Sequence, residues 1–175
     1  MGIREMASKA ARAGGVAPLT VTQHKGQAMM ADISTVLDCS AAKAWAEVQK
    51  TSVFLHVIRP LMRLRSTGDP LPERWSEGLT VACRLLAFGF VPLGVHTVFI
   101  ERIDQDSYQI QTREHDAVVA RWDHLISIKP LDDSRSIYRD TIDIDAGRLT
   151  PAVWAWTNLF YRHRQRRWRA FAKTL

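Results

Sequence analysis

The chain has 175 residues, 46% of them apolar, enough for one sizeable core and with nothing that asks for a second domain. Its 24 Lys and Arg outnumber 18 Asp and Glu, but the excess sits at the ends: residues 30–150 hold 14 basic against 17 acidic side chains, and residues 151–175 hold six basic and no acidic ones. The mildly acidic body argues against a general polyanion binder, two distant cysteines without CxxC or zinc spacing argue against a disulfide framework, and no apolar stretch reaches the roughly 20 residues of a spanning helix. A cytoplasmic protein is the expectation.

Residues 1–29 mix small, glycine and basic residues without an apolar h-region, so a disordered or extended segment is expected there rather than a secretory signal. A targeting segment, or a start at Met29 or Met30, stays open as an alternative. One folded domain is expected over 30–175. "ADISTVLDC" (31–39) is rich in β-branched and apolar residues and predicts a strand; Ser40 then offers an N-cap before "AAKAWAEVQK". "TSVFLHVIRPLMRLR" (51–65) begins on a second Thr/Ser cap and spaces Val53, Val57, Leu61 and Leu64 as a helix, kinked or broken at Pro60. "STGDPLPERWSEG" (66–78) reads as a loop that carries Trp75. From Leu79 to Asp145 the period changes to two, in five runs separated by short turns, which predicts an antiparallel meander. After Thr150 as N-cap and Pro151 at N1, one uninterrupted helix runs to the end.

The order β-α-α-β-β-β-β-β-α defines an α+β fold, with a curved antiparallel sheet of about six strands wrapped around a terminal helix some 33 Å long. Alternation sorts the strand faces. Trp122, His124, Ile126 and Ile128 fall on one inner face, as do Tyr138, Asp140, Ile142 and Ile144 on the last strand; Tyr108, Ile110, Thr112 and Glu114 share a face, and so do His96, Val98 and Ile100. His96, Glu114, His124 and Asp140 therefore point into an apolar concavity, where unpaired polar groups are costly. A three-residue turn at 131–133 sets Asp140 opposite His124, so that the carboxylate accepts from the imidazole and raises its pKa. Four inward ionisable groups exceed what a closed core usually tolerates and suit a wet cavity, the alternative being a solid core in which they satisfy one another. No spacing enforces metal ligation, so neither metal nor cofactor is expected. On the terminal helix Val153, Trp156, Phe160, His163, Arg167 and Phe171 form a stripe suited to the sheet, which makes His163 and Arg167 candidate cavity groups and leaves Arg162, Arg166, Arg169 and Lys173 to solvent.

These segments together resemble the SRPBCC or START-like superfamily, to which polyketide cyclases and Bet v 1-like proteins belong, over residues 31–173. Cys39 to Trp45 is similar to that family's Ala-Pro-x-Glu-x-Val-Trp stretch, with Ser40 in place of Pro and Ala42 in place of Glu. Trp122, His124, Pro130 and Asp140 look like a bacterial branch of the superfamily, with "DDSRS" where a Gly-Gly-Thr turn is usual. The resemblance implies a helix-grip fold with a hydrophobic pocket between sheet and terminal helix. The expected function is binding or carriage of a small apolar molecule, more readily than catalysis. His96, Glu114, His124 and Asp140 would anchor it, Tyr108, Trp122, Tyr138, Trp156 and Phe160 would line the walls, and Trp75 would sit at the mouth. A cyclase or dehydratase using His124 and Asp140 as acid/base pair is the alternative. Binding of an anionic polymer or membrane by the basic terminal helix is a second, with no specific nucleic acid expected.

Overall fold

A computed structural model describes residues 27–175; the expectations for residues 1–26 lie outside the described residues. The first strand, β1 (Met29–Leu37), leads into α1 (Ala41–Val48) and α2 (Thr51–Val57). Ser40 caps α1 as its position suggests, accepting the Lys43 N–H at 3.4 Å, and the helix buries Ala41, Ala44, Trp45 and Val48. α2 has Lys50 at its N-cap, with no side-chain cap of the kind Thr51 and Ser52 led us to expect.

The helix expected over 51–65, kinked or broken at Pro60, ends at Val57 and does not resume. Arg59 precedes Pro60, and a residue before proline is pushed out of helical conformation; the chain emerges as a further strand, β2 (Met62–Ser66). Leu61 and Leu64 therefore do not extend a helical stripe. Met62, Leu64 and Ser66 alternate inward against the exposed Arg63 and Arg65, and the strand pairs antiparallel with β3 (Thr80–Ala87). The meander continues through β4 (Val91–Asp104), β5 (Gln109–His115), β6 (Arg121–Pro130) and β7 (Ser136–Asp145).

The sheet thus has seven strands rather than about six, in the order β1-β7-β6-β5-β4-β3-β2. Every neighbouring pair is antiparallel. Two register shifts, one between Leu85 and Leu86 against β4 and one between Ile100 and Arg102 against β5, add a residue to β4 each time and increase its bend. The first sits beside Gly94 at φ +105°, a backbone state that a side chain would strain.

The last helix, α3 (Thr150–Ala172), is 23 residues long, about 34 Å. Its N-cap is Leu149 rather than Thr150; the Thr150 hydroxyl instead accepts the Ala146 N–H at 2.9 Å and donates to the Gly147 carbonyl at 2.7 Å, closing the turn before the helix. α3 packs along β1 and β7 and touches α2. It buries Thr157, Phe160, Tyr161, Arg164, Gln165, Trp168 and Ala172, a stripe rotated from the expected one and sharing only Phe160 with it. His163 and Arg167 turn instead toward the end of α2, where His163 donates to the Arg59 carbonyl at 2.8 Å and Arg167 donates to His56 Nε2 at 3.1 Å. The reason is electrostatic. Asp140 is fully buried on the sheet; Gln165 donates a hydrogen bond to it and Arg164 supplies a countercharge 3.6 Å away.

Candidate functional site

Between the inner face of the sheet and the helices lies a cavity of about 320 Å³. Its walls are aliphatic where β3, β4, β5 and β6 cross, at Leu85, Val98, Ile100, Ile110 and Ile126, and aromatic at Trp75, Trp122, Trp156 and Phe160. Trp75 reaches it from the loop after β2 and meets Phe54 of α2 edge to face at 5.7 Å. One end of the cavity is polar, formed by His96, Thr112, Glu114, His124, Tyr161 and Arg164.

These polar groups belong to one hydrogen-bonded array across β4, β5, β6, β7 and α3. Asp116 Oδ2 meets His96 Nδ1 at 2.9 Å, and His96 Nε2 meets Glu114 Oε2 at 2.9 Å. The other Glu114 oxygen accepts from the Thr112 hydroxyl at 2.5 Å and stands 3.8 Å from His124 Nδ1. His124 Nε2 donates to Asp140 Oδ1 at 2.9 Å, and Tyr161 O lies 3.3 Å from His124 Nδ1. Behind it Tyr138 donates to Asp140 at 3.1 Å and accepts from Arg164 at 2.9 Å, while Gln165 donates to the second Asp140 oxygen at 3.0 Å.

The pairing of His124 with Asp140 is as expected, but by a different register. His124 stands opposite Ile142, and Asp140 opposite Ile126, because the turn between β6 and β7 is longer than three residues. The two side chains share a face and meet diagonally.

Burial opposes charge on both imidazoles, yet the adjoining carboxylates outweigh it. Glu114 and Asp116 raise the pKa of His96 above the ordinary histidine value, and Asp140 with Glu114 raises that of His124. Burial likewise opposes the carboxylates, but the two histidines hold Glu114 well below the usual carboxylate range, and Arg164 and His124 lower Asp140. Burial pushes the Tyr161 phenol far up, so it stays neutral and serves as a donor or acceptor only. With both imidazoles protonated, the carboxylates of Glu114, Asp116 and Asp140 balance His96, His124 and Arg164. Two residues that border the cavity, Trp122 and Arg164, also carry nitrogens, Nε1 and Nε, that are buried away from it with no well-formed hydrogen bond among the described residues. Also among the described residues, no three His, Cys, Asp or Glu side chains converge as metal ligands would.

Of the residues singled out from sequence, Trp75, His96, Glu114, Trp122, His124, Trp156 and Phe160 come together around the cavity. Asp140 and Tyr138 stand one layer behind it, the Tyr138 ring tilted against Trp168 at 5.3 Å. Tyr108 lies elsewhere, in the turn before β5, stacked on Trp45 at 5.4 Å. His163 and Arg167 do not reach the cavity, for the reason given above. Sequence reasoning missed Thr112, Asp116, Tyr161, Arg164 and Gln165 as members of the array. For the helical three, the signal lay in the spacing of Thr157, Tyr161, Arg164, Gln165, Trp168 and Ala172, as regular as the stripe chosen but less apolar.

An open antiparallel sheet gripping a long terminal helix, with α1 and α2 between β1 and β2, is the START-like fold. A START superfamily protein from Mycobacterium smegmatis superposes with a TM-score of 0.64 at 14% identity, over 83% of this chain and 97% of that one. The Zhui aromatase/cyclase from Streptomyces sp. R1128 gives 0.63 at 14% identity, over 83% and 94%. Norcoclaurine synthase from Thalictrum flavum, in complex with dopamine and hydroxybenzaldehyde, gives 0.52 at 10% identity, over 77% and 85%. Identities this low establish the fold alone. No curated protein matches the sequence. Residues 35–171 match the model of a domain of unknown function, DUF8410, and the chain belongs to that family.

Proposed function

We propose that the protein binds and carries a small, largely apolar molecule with a polar group at one end. The observation that carries this reading is a cavity of about 320 Å³ with aliphatic and aromatic walls and one polar end, formed by His96, Thr112, Glu114, His124, Tyr161 and Arg164. A polar group left unsatisfied on burial costs about 1–3 kcal/mol, and that end of the cavity would spare a ligand's polar group the cost. With both imidazoles protonated the charges of the array balance, which favours a neutral ligand over an ion, and a cavity of this size accepts a molecule at the small end of the usual range. The fold neighbours support the class, since aromatase/cyclase and norcoclaurine synthase act on small organic molecules in this architecture.

Native mass spectrometry of the freshly purified protein, with displacement of an environment-sensitive apolar dye, tests the proposal. Val98→Trp, which fills the cavity from its wall, is expected to weaken dye binding about ten-fold or more while leaving the folded spectrum intact. Equal dye affinity in that variant, with no co-purified molecule, would sink the idea.

A second reading, acid/base catalysis, rests on the 2.9 Å bond that orients His124 through Asp140. Both ring nitrogens are engaged within the array, so a proton would have to pass through Tyr161 or Glu114. This favours binding over turnover.

A further inference from the structure

The hairpin that joins β3 to β4 carries Phe90, which at 75% is the most exposed large apolar side chain among the described residues. Phe88 and Leu93 beside it are about half exposed. The tip is continuous with the cavity wall: Phe88 meets Trp156 edge to face at 6.2 Å, and Leu93, the extra residue of the first bulge, borders the cavity itself.

Behind the tip the outer face of the sheet is cationic. Arg63 and Arg65 leave β2 and Arg84 leaves β3; Arg65 and Arg84 are direct cross-strand partners, an arrangement that destabilises a bare sheet through like-charge repulsion. Among the described residues none of the three is ion-paired, although Arg113, Arg121, Arg135 and Arg139 on β5 to β7 and their turns all are. Arg65, Arg84, Phe90 and Pro92 border one shallow groove, which puts the cations and the tip phenylalanine on one surface. Arg63 lies across Gly89, where a Cβ would come within 2.8 Å of its Nε, so the close approach of guanidinium to tip depends on that glycine.

We propose that this hairpin docks on an anionic lipid bilayer, the aromatic tip entering the interface and the three arginines facing lipid phosphates, with the Leu93 wall of the cavity turned toward the membrane. Aromatic rings suit the headgroup boundary, and arginines close to an anionic leaflet gain by charge and by bidentate contact with phosphate. A second copy of the chain fits the surface poorly, since every charge on it has the same sign. Nucleic acid would meet the arginines and leave the phenylalanines in water. The proposal stands apart from the cavity's contents, because docking needs no ligand.

The test is co-sedimentation of the full chain with vesicles of phosphatidylcholine alone and of phosphatidylcholine mixed with phosphatidylglycerol, at low and at moderate salt. Binding is expected only to the anionic vesicles and should weaken as salt rises. Phe90→Ser should lose about ten-fold in partitioning, and Arg65→Gln with Arg84→Gln roughly 30-fold, with thermal unfolding unchanged. Arg166→Gln with Arg169→Gln, exposed on α3, should bind like the parent. Binding by F90S equal to the parent, loss carried by the α3 pair instead, a preference for duplex DNA over vesicles, or no preference for the anionic vesicles would each overturn the proposal. An apolar dye that still enters the cavity when vesicles do not bind would leave the ligand reading standing and remove only this one.

Discussion

His124 is held by groups that are each costly to bury alone. It is 4% exposed, its Nε2 donates to an Asp140 that is 0% exposed, and Arg164 at 3% closes the same cluster. Removing one member strands the others: His124→Ala leaves Asp140 and Glu114 short of a countercharge and is expected to cost about 3–5 kcal/mol in chemical denaturation. The same pairs set a pH dependence. His96 and His124 titrate above 6.5 in the folded state, so their stabilisation is fully present below that value and is lost as pH rises through the raised pKa values. Glu114 and Asp140 titrate below 4.5 and 3.8, so their share is present above those values and is lost as pH falls through the lowered ones. The denaturation midpoint should therefore decline on both sides of the mildly acidic range. A double variant, His96→Gln with His124→Gln, should flatten the alkaline decline; an undiminished decline would remove these histidines as its cause.

At the scale of the element, α3 shows how burial and charge together choose a face. Trp168 is 1% exposed and packs against the Tyr138 ring, whereas Arg167 lies partly in solvent against His56. Trp168→Ala is expected to cost about 3–5 kcal/mol, and Arg167→Ala under about 1 kcal/mol; urea titrations giving the reverse order would refute the face assignment. This helix also marks where sequence stops being sufficient. The alternation of β6 and β7 placed His124 and Asp140 correctly, because a strand has two faces and one of them was plainly apolar. A helix offers more faces, and the most apolar stripe was not the buried one. Asp140 draws Arg164 and Gln165 inward, a long-range requirement that no local pattern on α3 records. β2 was legible in principle, since Met62, Arg63, Leu64, Arg65 and Ser66 alternate, but a run this short after a helix fits either period. The His124–Asp140 register depended on the length of a turn that sequence fixed only loosely.

For the whole molecule, the strand order carries a kinetic consequence. β1 pairs with β7 from Met29↔Ile144 to Leu37↔Ser136, so the two partners lie about a hundred residues apart along the chain, and loop closure on this scale is slow to be repaid. Refolding followed by tryptophan fluorescence is expected on the order of milliseconds to seconds; a microsecond phase carrying the full amplitude would contradict it. During synthesis the asymmetry is sharper. The meander from β3 to β6 meets its neighbours hairpin by hairpin as it leaves the ribosome, but β1 emerges first and has no partner strand until β7 follows, and α3, which covers it, comes later still. β1, the first strand among the described residues, thus stays unpaired with β7 through most of the synthesis of this domain, and its alternating Asp32 and Ser34 give it polar side chains while it waits.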